Sequence, residues 1–453
     1  MRKRTYILLL SIMALSSCIE PIDVSPAVNS TADSSGILVV EANLTDEQGT
    51  VQQVLLSRSR RIESDSTVNV EDDVLFNPNT PFISPRGLDV APEQNATVEA
   101  QTSAGNLIVF TESEPGIYKA PDTFFAERDT GYVLNITTAD GARYASTEMR
   151  IIGSSRINDL YAERVTSDTG VDGMGIFVDT TDPTNETSYF RYAFEETYKI
   201  IAPNWRPFEF EIIEEGGEPI LDEDTGDLIG FTVPAVRLIE KKREERVCFK
   251  TDPSQDILVA DVSGLDNNTV IRNQLRFINS NNPILSHRYS IMVKQMAVAF
   301  ESYQFYENLR NFTQSELVFS QIQPGPLEGN IASESSQNKV IGFFDVSSVA
   351  KQRLYFNYED FYPGEPLPPY FGTVTCDRFL APILGDPERD GPPPPPNEQC
   401  PQPLVPRIKL GLVEWLGSND PGVCEGPYQV TPTICGDCNI VGSNIVPEFW
   451  TEE

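Results

Sequence analysis

The residues in this chain with the most obvious chemistry are cysteines. Seven occur, at positions 18, 248, 376, 400, 424, 435 and 438, against one histidine, His287. A single histidine rules out the zinc motifs that need two. A Ser-His-Asp triad would have to use His287 as its base, and no Gly-x-Ser-x-Gly turn is present to supply the nucleophile. No Walker loop and no Gly-x-Gly-x-x-Gly turn occurs. With 67 acidic residues, some pair will fall at glycosidase spacing, and nothing in the sequence singles one out. Asp222, Asp224 and Asp227 alternate around Gly226 as calcium ligands do, but the distal glutamate is missing. A hairpin turn accounts for the same residues. The expectation is a protein that recognises rather than reacts, with no cofactor.

Cys18 stands apart from the other six. Arg2, Lys3 and Arg4 precede a short apolar run, Tyr6 to Leu15, and Leu15-Ser16-Ser17-Cys18 follows. That order is a secretory signal, and its apolar run is too short to span a bilayer. The last four residues resemble the bacterial lipobox. The resemblance implies a signal peptide over 1–17, cleavage before Cys18, and acylation of its sulfur, with membrane lipid as the first partner. Residues 18–36 (CIEPIDVSPAVNSTADSSG) then read as a flexible tether with an average reach of about 25 Å. Two or more acyl chains give stable attachment where one is marginal.

The remaining cysteines are even in number, and in an exported chain they read as up to three disulfides. All but Cys248 follow Phe371, so the cross-links concentrate in the last part of the chain. Cys435-Gly-Asp-Cys438 has three readings: a redox dithiol, half a metal site, or two cysteines each bridged elsewhere. A redox pair belongs at a helix start within a βαβ unit, and this one lies in an irregular tail. Zinc bound by Cys400, Cys424, Cys435 and Cys438 would have irregular ligand spacing. Structural disulfides fit best, with the pairing left open among 15 connectivities.

The elements that must position these residues are mainly β. Residues 37–152 read as an immunoglobulin-like sandwich of short strands. Ile37 to Val40 opens a strand, and Val51 to Ser57 is another. Asn95 to Gln101 and Leu107 to Thr111 form a hairpin, and Asp140-Gly141 turns into Arg143 to Arg150. Arg58 to Glu93 reads as polar loops with room for one edge strand. Residues 153–453 read as a larger β-rich domain. In it, Phe208 to Ile213 and Leu228 to Val236 flank a hairpin loop. Phe305, Leu309 and Phe312 mark an amphipathic helix near 300–316. A proline-rich loop follows over 362–406, with the run Pro392 to Pro396, then a last strand at Arg407 to Val413 and a cysteine-rich tail over 423–453.

The formal charge of the 453 residues is −33, which argues against nucleic acid and against docking on anionic lipid through the protein surface. Several blocks together resemble one family. They are the lipobox with Leu38-Val-Val-Glu41, Tyr289 to Val293, Tyr303-Gln-Phe-Tyr-Glu-Asn-Leu309, Gly329-Asn-Ile331, Ile341-Gly-Phe-Phe344, and Cys435-Gly-Asp-Cys438 running on to Pro447-Glu-Phe-Trp450. The family is a set of Bacteroidota outer-membrane lipoproteins known only as a domain of unknown function, number forty-two forty-nine. The resemblance implies a lipid-anchored accessory or binding subunit, often encoded beside a SusC-type TonB-dependent receptor, and it carries over no catalytic residues. The alternative is a stand-alone ligand- or glycan-binding lipoprotein. Trp205, Trp415 and Trp450 would be its stacking candidates, unless they serve the core.

Overall fold

The computed structural model describes residues 36–59, 91–214, 219–223, 225–226, 228–231, 235–265, 269–314, 327, 329–335, 338–371, 374–381, 404–418 and 428–452. The signal peptide, Cys18, the tether, loop residues 60–90, Cys400, Cys424 and Pro392 to Pro396 lie outside the described residues, as do Asp224 and Asp227.

The chain is mainly β, with few helices and a cross-linked C-terminal part. Among the described residues its largest sheet has 14 strands. Its main path runs Val247–Pro253, Tyr189–Ile201, Arg288–Ala297, Val340–Asn357, Leu38–Thr45, Gln53–Arg58, Ile117–Lys119, Leu107–Glu114, Thr97–Thr102, Tyr132–Thr137, Arg143–Ser146 and Ile331–Ser333. Alternation decides which residues face inward. Leu38, Val40, Ala42 and Leu44 are buried, while Val39, Glu41, Asn43 and Thr45 face outward. The expected hairpin between Thr97–Thr102 and Leu107–Glu114 is present. So is the Asp140-Gly141 turn, where Gly141 takes φ +87° between Tyr132–Thr137 and Arg143–Ser146.

The 18-residue strand Val340–Asn357 belongs to two cores. Its first half pairs in parallel with Leu38–Thr45, and its second half pairs antiparallel with Arg288–Ala297. Phe343, Phe344 and Val346 therefore enter the core of the 37–152 strands, whereas Phe356 enters the second core. Ile331, Ala299 and Phe305 also complete the first core, so residues far along the chain fill it. In the second core, the sheet Arg156–Thr166, Asp172–Thr181, Thr269–Asn279 lays Met174, Ile176 and Val178 against Tyr192, Phe194, Ile291 and Val293. Between these sheets Thr180 Oγ1 donates to Gln295 Oε1 at 2.6 Å, and Gln295 Nε2 donates to the Arg156 carbonyl at 3.1 Å. This buried polar contact is satisfied on both sides.

The helix Phe300–Gln314 falls where the aromatic spacing predicts. Two other expectations need correction. Phe208–Glu214 pairs with Ala235–Glu240, while Leu228–Phe231 folds back on Pro219–Leu221, so the run Leu228 to Val236 serves two hairpins rather than one strand. Leu404–Lys409 is a short helix, and the strand follows it at Val413–Ser418. Leu404 and Ile408 sit at helical spacing on the small core of Val413 and Val430, and that periodicity overrides the strand reading.

Candidate functional site

A groove of about 760 Å³ lies where the two cores share the strand Val340–Asn357. Its floor is the outward face of the first sheet. Strand register places Val39 beside Ile341, Glu41 beside Phe343 and Leu55, and Asn43 beside Gln53. The helix Phe300–Gln314 forms one wall and contributes Phe305, Tyr306 and Leu309. Arg191 and the segment Ser254 to Leu258 close the other side.

Aromatic contacts fix this helix to both halves of the molecule. Phe300 and Tyr303 pack on Tyr189 of the second sheet, with ring centroids 5.2 and 5.0 Å away. Phe305 packs on Phe343 of the first sheet at 5.3 Å. Ser302 donates to Asp345 Oδ2 at 2.9 Å in a fully buried contact. Burial pushes the Asp345 carboxyl up, against the pull of Arg191, the Ser302 hydroxyl and the Val346 amide.

Arg191 is the unusual member of the site. Its guanidinium lies 4.3 Å from the Tyr306 ring centroid. Its Nη2 points at the Met296 sulfur, 3.1 Å away, which is a weak acceptor. Its Nε is buried without a hydrogen-bond partner among the described residues. The other basic groups here are paired: Lys351 with Glu47, and Lys294 with Glu195 at 3.6 Å. The sequence alone gave no sign of Arg191. Only the register of Arg191 opposite Met296, and the helix crossing above it, bring it to Tyr306.

The described cysteines do not line the groove and are joined in pairs. Cys248 bonds Cys438 and Cys376 bonds Cys435, with Cα separations of 5.7 and 5.6 Å. Both cysteines of the C-x-x-C are thus bridged elsewhere, so the redox-dithiol and zinc readings of Cys435 and Cys438 fall. Among the described residues no cluster of three or more His, Cys, Asp or Glu could hold a metal. Asp222 takes part in a turn: its Oδ1 accepts the Thr225 amide at 2.8 Å, its carbonyl accepts the Gly226 amide, and Gly226 takes φ +73°. The His287 imidazole is held below its usual range by burial and then by Lys199, and its ring has no hydrogen bond to a serine or acid among the described residues. Trp450 is buried edge-on against Phe249 at 4.9 Å. Trp415 packs on Phe208 and Trp205 on the second core, so all three tryptophans serve packing. No described helix is long and apolar enough to cross a membrane.

Fold and site together define a mainly β, disulfide-stapled scaffold with a charged groove at the junction of two cores. The chain belongs to the family described as Domain of unknown function (DUF4249), which matches residues 22–353. No curated protein matches it. Among solved structures, one titled as manganese lipoxygenase of Gaeumannomyces graminis and partial zonadhesin of Komagataella pastoris aligns at 10% identity. That alignment covers 72% of this chain and 97% of the other, at a TM-score of 0.12, too low to indicate a shared fold.

Proposed function

We propose that the chain is a non-enzymatic lipoprotein of the bacterial outer membrane, serving as an accessory or binding subunit of a SusC-type TonB-dependent transporter or a related assembly. The observation that carries this reading is Leu15-Ser16-Ser17-Cys18 behind a short apolar run, with a polar tether leading to the first strand. Acyl chains on Cys18 would hold the body at the membrane, which its charge of −33 would not do. The disulfides suit an exported compartment.

A pull-down tests the reading. The full chain, extracted in mild detergent, is expected to bring down a large β-barrel protein, and the Cys18→Ser variant is expected to lose both the membrane and the barrel. Recovery of the wild-type chain alone, after cross-linking in intact cells, would refute the accessory role. The groove beside Arg191 favours the second reading, a lipoprotein that binds a ligand by itself. Ligand binding by the purified chain without a barrel would support it.

A further inference from the structure

We infer that the groove binds a small zwitterionic ligand with an apolar body, such as an apolar amino acid or short peptide, its carboxylate at Arg191 and its ammonium at Glu41. This goes beyond an accessory role and does not depend on Cys18 or on a barrel partner. The groove lining carries opposite charges, Arg191 and Glu41, that form no ion pair among the described residues. No carboxylate lies within 4.0 Å of Arg191 among the described residues, where its polar neighbour is a thioether. Asp345 feels the charge of Arg191 but is fully buried, makes no ion pair within 4.0 Å of it, and is spoken for by the Ser302 hydroxyl and the Val346 amide. Glu41 is exposed on the outward face of the first sheet and has no ion pair among the described residues.

Both charges line the one groove: Arg191 lies 4.3 Å from the Tyr306 ring centroid, and Glu41 stands on the floor beside Phe343. Around them the surface is apolar: Val39, Leu55 and Ile341 on the floor, Leu309 and Leu327 on the wall. A volume of about 760 Å³ suits a small organic ligand. A fatty acid would satisfy Arg191 but place its tail by Glu41, and an amine would satisfy Glu41 and leave Arg191 bare. A polyanion is disfavoured by the net charge of −33. Asp256 also lines the groove and adds a second carboxylate for the ammonium.

Calorimetric titration of the full chain in detergent tests this with three probes: leucylleucine, its N-acetyl derivative and its C-terminal amide. The dipeptide is expected to bind at least about tenfold tighter than either singly charged form, as befits a charge-assisted contact at each end. Glu41→Gln should reduce the preference over the N-acetyl form, Asp256 supplying the remainder, and keep the preference over the amide. Arg191→Met should do the reverse. Glu41 is exposed, so its variant tests the idea even if loss of Arg191 perturbs folding. Equal binding of all three probes, or no binding of any at millimolar concentration by a chain with unchanged thermal unfolding, would overturn the inference. Neither result bears on the barrel pull-down.

Discussion

At the residue scale, two buried aspartates carry opposite electrostatic signatures. Asp182 accepts hydrogen bonds from the amides of Ser154, Thr184, Glu186 and Thr187, at 2.7 to 3.0 Å, and from the Thr184 hydroxyl. Burial works to raise its carboxyl, but the Thr184 hydroxyl and these amides outweigh it and hold the carboxyl below its usual range. Its stabilisation is therefore present above the unfolded value near pH 4 and is lost as pH falls through the lower folded value. Asp182→Ala strands several buried amides and is expected to cost about 3 kcal/mol at pH 7, read from urea unfolding. Asp345 is the reverse case. Burial holds its folded carboxyl above the unfolded value, so its contribution is full below about pH 4 and declines as pH rises to the folded value. The slope is about 1.4 kcal/mol per pH unit within that window. Asp345→Asn should flatten it, so wild type should gain on the variant in urea midpoints on going from pH 8 to pH 4. Equal pH profiles would contradict an Asp345 carboxyl held above its ordinary range by burial. Neither aspartate was legible beforehand, because among 67 acids only tertiary contacts distinguish these two.

At the scale of elements, the strand Val340–Asn357 and the two disulfides hold the molecule together. Gly342 sits opposite Val40 with φ +149°, and a Cβ there would fall 2.1 Å from the Val40 carbonyl oxygen. Gly342→Ala is expected to destabilise by more than about 2 kcal/mol in chemical denaturation, because the strand that serves both cores would have to shift. The Cys248–Cys438 bond spans 190 residues and ties the tail to the strand Val247–Pro253. Replacing both cysteines with alanine should cost about 2–5 kcal/mol, and peptide mapping should recover the 248–438 and 376–435 pairs. Local signals were the legible part of the fold. The Asp140-Gly141 turn and the Phe305, Leu309, Phe312 spacing each depend on a few neighbouring residues. The parallel pairing of Leu38–Thr45 with Val340–Ser347 depends on contacts about three hundred positions apart, which periodicity does not encode. For the same reason Arg191 and Tyr306 could not be joined from sequence. The disulfide chemistry was readable from cysteine parity and spacing, whereas the partners had to come from the fold.

At the scale of the whole molecule, the described body presents a mainly β surface, an acidic charge and a groove between two cores. In the proposal, the lipid attaches the molecule and the body does the recognising. This division of labour fits a chain whose cysteine pairs staple rather than react and whose tryptophans are spent on packing. The accessory role presupposes the anchor, so the anchor is where the account stands or falls. The decisive measurement is the mass of the N-terminal peptide of the protein isolated from membranes. The account predicts a chain that begins at Cys18 and carries acyl groups on that residue. An intact leader, or an unmodified thiol on a mature Cys18, would contradict it.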